Sequence, residues 1–176
     1  TWVSAVLTSA KLNEQLRDNM LALSTHLHSG AAGDGAADKS IQKTIDEIVN
    51  TSAALQNDDD FLVTVTTGET WDITVLLYVT AAAVASQGIR IAFTFPAAST
   101  ARAGLVTIDN SAVAVVPVAI TTGTGFFTHG RNVGVAFVRV DAYFVFTASG
   151  TVQFQWAQDT AHASNTTVEA GSKMLA

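Results

Sequence analysis

Hydrophobic and polar positions follow two different periods along this chain, and the change of period divides it into two parts. Within residues 9–23 the apolar side chains recur at steps of four, four and three, which is the spacing of one face of an α-helix. These side chains are Leu12, Leu16, Met20 and Leu23. From Phe61 onwards apolar and polar residues alternate with a period of two, which is typical of half-buried strands. The pattern therefore predicts a helix over residues 9–23 followed by a β-domain.

The β-domain is predicted to hold eight or nine strands. Residues 43–50 fit a short amphipathic helix or a strand, and their Ile, Thr and Val content favours an edge strand. Ser149 and Gly150 predict a tight hairpin, and Pro117 places its own strand at an edge or a bulge. The other predicted strands are 61–66, 71–80, 89–95, 103–108, 112–120, 133–147, 151–158 and 166–175. This pattern predicts a mainly β fold, an antiparallel jelly-roll β-sandwich of 8–9 strands preceded by a short N-terminal α-helix.

Three segments are predicted: a helical segment over 1–24, a Gly/Ala-rich connector over 25–40 and the β-domain over 41–176. The connector has the composition of a flexible tether, and it lacks the strand and the Lys-Ser/Thr pair of a phosphate loop. Burying the four apolar side chains of the helix contributes roughly 6–12 kcal/mol, whereas fixing its backbone costs roughly 15–30 kcal/mol. The helix therefore needs a partner. It packs either on its own β-domain or, as the flexible connector favours, on symmetry mates or a larger assembly.

Composition narrows the range of partners. The chain is 48% hydrophobic and 14% charged, so part of its apolar surface is expected to meet other subunits. Its net charge is −6 and its nine Lys and Arg residues are scattered singly, so nucleic acid is not an expected partner. The uncharged apolar stretch over residues 73–88 is interrupted by Thr, Ser and Gln, so no membrane insertion is expected. The chain has no cysteine, which excludes disulfides and thiolate metal sites.

No catalytic constellation is visible, and the chain is not expected to be an enzyme. A hydrolase would need a nucleophile held by a base and an orienting group, and no such context occurs in this sequence. Residues 58–60 are three consecutive aspartates that lack the alternation and the distal Glu of a calcium loop. A solvated turn is therefore predicted there. His129 and His162 are predicted to lie in loops.

Three segments of the sequence resemble proteins of tailed bacteriophages. The opening TWVSAVLTSAKLNEQLRDNMLAL resembles the start W-x-x-x-x-[VL]-[TS]-[AS]-x-x-L-N-x-x-[LV]-R-D-N of many small virion proteins. The matching residues are Trp2, Leu7, Thr8, Leu12, Asn13, Arg17, Asp18 and Asn19. The segment HLHSGAAGDGA resembles H-x-H-x-G-x-x-G-D-G of phage fibre proteins, and GTVQFQWAQDTAHASNTTVEAGSKMLA resembles the closing β-hairpin of their jelly-roll domains. The family that these segments resemble is that of virion fibre and decoration proteins with an anchoring helix and a TNF-like jelly roll.

This resemblance implies a homotrimer located in the virion, after synthesis in the bacterial host cytoplasm. It implies a head or neck decoration protein or a fibre, whose N-terminal segment docks on a capsid, neck or tail protein. The docking and assembly residues would be Trp2, Leu12, Asn13, Leu16, Arg17, Met20 and Leu23. One alternative is a short tail fibre, a receptor-binding protein that recognises a host-surface glycan. A cellular TNF-like binding module is a further alternative.

The resemblance also gives His26 and His28 a role. Residues i and i+2 of an extended segment point to the same side, so a threefold axis beside them would gather six imidazoles. Such an octahedral site suits iron or another transition metal better than tetrahedral zinc. The alternative is a pair of solvated loop histidines, and no other cofactor is expected.

Loop aromatics and amides are candidates for contact with a host glycan. They are Phe126, Phe127, Asn132 and Gln158, and the same side chains could pack between subunits instead.

Overall fold

The computed structural model describes residues 9–24, 39–81, 88–97, 99–108, 118–123, 127–129 and 135–176. The chain divides into two compact units, Thr1–Asp38 and Lys39–Ala176. In the first unit the described element is helix α1, Ser9–Ser24, which confirms the helix predicted over 9–23.

The second unit is built from β-strands. The described strands are β1 (Ser40–Gln42), β2 (Glu47–Val49), β3 (Gln56–Val65), β4 (Thr70–Ala81), β5 (Ile89–Thr94), β6 (Thr100–Ile108), β7 (Val118–Ala119), β8 (Phe127–His129), β9 (Val135–Val145), β10 (Gly150–Gln158), β11 (Thr166–Val168) and β12 (Lys173–Leu175). Every pairing among them is antiparallel.

The strands form two sheets, and the chain alternates between them. The larger sheet has the order β1-β12-β4-β9-β6-β7, with β11 between β2 and β4, and the smaller sheet has the order β3-β10-β5-β8. The first strands of this unit pair with its last strands, β1 with β12 and β2 with β11. Alternation between two antiparallel sheets with paired first and last strands is the jelly-roll arrangement. The β6–β7 pair extends the larger sheet beyond β9.

The core lies between the inner faces of the two sheets. Phe93 of the smaller sheet meets Phe144 of the larger sheet edge to face, with ring centroids 5.4 Å apart. Phe93 also contacts Phe154 on the neighbouring strand, with centroids 5.3 Å apart. Such edge-to-face pairs add to the free energy gained from burial alone. Alternate residues of the long strands fill the rest of this core, as the period of two predicts.

Most strand predictions are confirmed, but several boundaries are wrong. Strand β3 begins at Gln56 and not at Phe61, and β6 begins at Thr100 and not at Ala103. Of the edge strand predicted over 43–50, residues 47–49 form the edge strand β2. Residues 43–46 lie outside the strands, although the backbone of Lys43 forms hydrogen bonds with Gly171 and Ser172. The strand predicted over 166–175 is two strands, because the chain turns between them at Gly171 (φ 91°). Glycine adopts this left-handed conformation without a steric penalty.

The hairpin predicted at Ser149 and Gly150 is wrong. Strands β9 and β10 lie in different sheets, so this turn carries the chain across the sandwich instead of pairing its flanking strands. Strands β1 and β8 were not predicted, and β8 includes His129, which was expected in a loop. Within the strand predicted over 112–120, Val118 and Ala119 form β7, and residues 112–117 lie outside the described part of the chain.

Candidate functional sites

The apolar stripe of α1 is exposed. Leu12, Leu16 and Met20 are 44%, 54% and 67% exposed, respectively. Asn13 is exposed as well, and Arg17 forms an exposed ion pair with Asp18 at 3.4 Å. An ion pair in this setting contributes little to stability. The described part of the predicted docking set therefore lies on a helix on which Leu12, Leu16 and Met20 are accessible to a partner.

The remaining residues of the predicted docking and metal sites cannot be placed. Trp2, His26 and His28 lie outside the described residues, and so does the side chain of Leu23. Among the described residues, no group of three or more His, Cys, Asp or Glu side chains could hold a metal ion.

A second exposed apolar area lies on the side of the larger sheet that faces away from the core. We call this side the outer face, and in the middle of the sheet it is formed by Leu76, Tyr78, Phe137, Arg139, Asp141 and Tyr143. Tyr78 and Tyr143 are 44% and 43% exposed. The Tyr78 ring packs on Phe137, with centroids 5.5 Å apart. Large aromatic side chains on a solvent-facing sheet are typical of protein interfaces.

The polar groups at the centre of the outer face bind one another. Arg139 donates to both carboxylate oxygens of Asp141, at 3.0 and 2.9 Å, and Thr74 donates to Asp141 at 2.8 Å. Because these charges are already paired within one chain, a partner could cover them without having to supply an opposite charge at this position.

The third site is a buried cluster of charged side chains around Lys43. The ammonium Nζ lies 2.7 Å from Glu47 Oε2, 3.0 Å from Asp58 Oδ2 and 3.6 Å from Asp60 Oδ2. The Lys43 and Asp58 side chains are 1% and 0% exposed. The ring of Phe61 lies beside the same amine, with its centroid 5.6 Å from Nζ. Charges buried to this extent are stable only when they are paired and hydrogen-bonded.

A bulge in β3 brings Asp58 into this cluster. Gln153 of β10 pairs with Leu62 of β3, and Gln155 pairs with Asn57. Between these two pairs β3 therefore holds three more residues than β10. A bulge bends its strand and redirects a side chain. Here it turns Asp58 inward, although the triplet 58–60 was predicted to be a solvated turn. That prediction is wrong: all three residues lie in strand β3, and Asp58 is buried with Lys43 as its counter-charge.

The bulge is held by side-chain and backbone hydrogen bonds. Asp58 Oδ1 accepts from the backbone N–H groups of Asp60 and Phe61, at 3.0 and 3.1 Å. The Gln153 amide nitrogen donates to the backbone carbonyls of Asp58 and Phe61, at 2.8 and 3.1 Å. These contacts fix both the position and the orientation of the buried carboxylate.

Glu47 is fixed from two sides. Its Oε1 accepts from the Gln56 side-chain amide at 2.7 Å, and its Oε2 accepts from the backbone N–H of Asp59 at 3.3 Å. Oε2 is also the atom that binds the amine of Lys43. Burial alone would lower the pKa of Lys43, but the hydrogen bonds and charges of Glu47 and Asp58 raise it above 10.5 overall.

Gln158, a candidate for glycan contact, has a different role. It is fully buried, and its side chain accepts from His162 N at 2.9 Å and Ser52 N at 3.3 Å while donating to Ser164 O at 2.7 Å. It therefore organises the loop after β10 and cannot reach a ligand in solvent. Phe126 and Asn132 lie outside the described residues, as does the side chain of Phe127.

No protein-family model matches the chain, and no curated protein matches its sequence significantly. Among the described residues, no helix is long and apolar enough to cross a membrane.

Proposed function

We propose that this chain is a structural protein of a bacteriophage virion: a trimeric head or neck decoration protein or fibre, anchored through α1. The observation that carries the proposal is the exposed stripe of Leu12, Leu16 and Met20 on that helix. Burying this stripe would contribute roughly 1.5–3 kcal/mol for each side chain, and this free energy is not gained while the stripe is exposed to water. Binding of a virion protein over the stripe would be stabilised by that free energy.

Association between copies of the chain is supported by the outer face of the β-domain. The domain already has a complete core between its sheets, so the exposed aromatic side chains of the outer face are not needed to fold one chain. Tyr78 and Tyr143 present flat apolar surface together with hydroxyl groups, a combination common at interfaces. In this proposal, copies of the chain meet through the outer face, and α1 remains available for the particle.

The proposal is tested by incorporation into particles. Virions would be assembled with a variant as the sole source of this chain, purified, and analysed by quantitative mass spectrometry. Leu16→Asp places a charge in the stripe and should abolish incorporation. Gln15→Asp is the matched control, because it introduces the same charge at an exposed polar position of α1 and should be incorporated normally. Normal incorporation of Leu16→Asp would contradict anchoring through the stripe.

The same particles separate decoration from host binding. Particles that lack the chain and lose stability, but still adsorb to the host, would indicate a decoration protein. Loss of adsorption without loss of particle stability would indicate the receptor-binding alternative. If even the wild-type chain is never found in particles, the virion proposal fails and a cellular TNF-like binding module takes its place.

A further inference from the structure

The buried cluster has the parts of a bond-forming site. It holds an amine, a carboxyl group, a second carboxylate beside the amine, and backbone donors on the carboxyl oxygen. We propose that Lys43 and Asp58 condense to an intramolecular amide bond, which joins the segment between β1 and β2 covalently to β3. This inference does not depend on the virion proposal.

The two reacting groups are already in contact. Lys43 Nζ lies 3.0 Å from Asp58 Oδ2, and both side chains are almost completely excluded from solvent. Holding two reactants together in this way replaces a bimolecular encounter with an intramolecular step, which is worth a large rate enhancement. The ring of Phe61, itself fully buried, lies beside the amine and helps to keep water away from it.

The hydrogen bonds on the Asp58 carboxyl group suit its carbon to act as the electrophile. When an amine adds to the carboxyl carbon, one oxygen becomes an oxyanion and the other departs. Oδ1 already accepts two backbone hydrogen bonds, from Asp60 N at 3.0 Å and Phe61 N at 3.1 Å. Backbone donors placed in advance on such an oxygen stabilise the developing negative charge. Oδ2 faces the amine, which makes it the departing oxygen.

Glu47 is placed to carry the proton. First, the ammonium of Lys43 gives one proton to Asp58 Oδ2, which yields a neutral amine beside a neutral acid. The ion pairs favour the ammonium form, so this neutral pair is a minor form, reached by proton transfer across the 3.0 Å contact. The amine then adds to the carboxyl carbon. Glu47 Oε2, 2.7 Å from Nζ, takes a second proton from the nitrogen and passes it to the departing oxygen.

The step balances without a co-reactant. One C–N bond forms and one C–O bond breaks. Oδ2 leaves as water with two of the three ammonium protons, and the third stays on the amide nitrogen. Glu47 begins and ends as a carboxylate. No oxidant, reductant or activated donor is consumed.

Intact-mass measurement of the full chain under denaturing conditions tests the inference. The expected mass is that of the sequence less one water molecule. Lys43→Met should have the full mass of its own sequence. The matched control Lys173→Met removes an exposed lysine and should still lack one water. A wild-type chain of full sequence mass overturns the inference, whether or not Lys43→Met folds.

Peptide mapping locates the bond. Cleavage after glutamate separates Lys43 from Asp58, because Glu47 lies between them in the sequence. If the amide is present, the peptide that ends at Glu47 and the peptide that begins at Ile48 remain joined. If the chain has lost one water but these two peptides are separate, the water was lost at another place, and the assignment of the amide to Lys43 and Asp58 is overturned. Glu47→Gln removes this cleavage site, so its readout is the intact mass, which should be the full mass of its own sequence; loss of one water in that variant would overturn the role of Glu47.

Discussion

Tyr78 and Phe137 lie directly opposite each other on neighbouring strands of the larger sheet, with their ring centroids 5.5 Å apart and their planes inclined by 52°. This aromatic pair lies on the outer face and not in the core, and Tyr78 keeps 44% of its surface exposed. Such a pair contributes to sheet stability as a cross-strand contact. Its exposed surface is also available for contact with a second copy of the chain.

Tyr78→Lys should therefore weaken association of the β-domains. A charge at this position would have to be buried without a counter-charge when copies meet through the outer face. Native mass spectrometry should show a trimer for the wild-type chain and a shift towards monomer for the variant. Thr64→Lys is the control, because Thr64 is exposed on the smaller sheet, and it should remain trimeric. Equal stoichiometry in both variants would count against the outer face as the subunit interface.

Phe154→Ala should destabilise the β-domain strongly. Phe154 is fully buried between Phe93 and Phe61, with ring centroids 5.3 and 6.1 Å away. Truncating a buried Phe costs about 3–5 kcal/mol in unfolding free energy, because it removes apolar contacts and leaves a cavity. Urea denaturation measures this change.

The control for this core variant is Leu62→Ala. Leu62 lies on β3 but is 44% exposed, so its truncation should change the free energy of unfolding by only about 0.5 kcal/mol. Similar losses in the two variants would mean that the inner faces of the sheets do not form the core described above.

The sequence was sufficient to predict the architecture, because period-two alternation follows directly from which side of a strand is buried. The long strands β4, β9 and β10 were located within a few residues of their observed ends. The hairpin error at Gly150 had a different cause. A local turn signal cannot tell whether the next strand returns to the same sheet or crosses to the other one, and only the pairing of β10 with β3 and β5 decides this.

The buried cluster could be predicted only in part. Lys43 follows Ile41 by two residues, and Ile41 packs against the core. Side chains two residues apart in a strand lie on the same side, so this spacing was a weak indication that the lysine points inward. Three consecutive aspartates gave no such indication, since acidic residues are rarely buried without a partner. The partner comes from 15 residues earlier in the chain, and a bulge turns Asp58 towards it. Neither the bulge nor the pairing leaves a local pattern in the sequence.

The histidine site remains a prediction and can be tested by metal content. If His26 and His28 gather on a threefold axis, the purified trimer should contain about one transition-metal ion, which native mass spectrometry would detect. His26→Ala together with His28→Ala should remove that mass. His162→Ala is the control, because the His162 ring accepts a hydrogen bond from Ser164 N within its own chain, at 3.0 Å. A metal-free wild-type trimer would leave the two histidines without this role.

Alkaline pH should distinguish the ion-paired cluster from the amide. In a chain whose mass shows no water loss, the pKa of Lys43 is above its ordinary value of 10.5 in the folded state. Between 10.5 and that higher pKa, the unfolded chain has released the proton and the folded chain has not. The folded state therefore binds more protons, and stability falls as the pH rises through this window. Below pH 10.5 the contribution of Lys43 is fully present.

The measurement is the free energy of unfolding in urea at neutral pH and again above pH 10.5. The comparison is with Lys43→Met, in which this side chain cannot titrate, so the difference between the two chains cancels the groups outside the Lys43 cluster. An unjoined wild-type chain should lose more stability over this pH step than Lys43→Met loses. A joined chain should lose only as much as the variant, because an amide nitrogen does not titrate in this range. An unjoined chain with no extra alkaline loss would contradict the stabilising role of the ion pairs around Lys43.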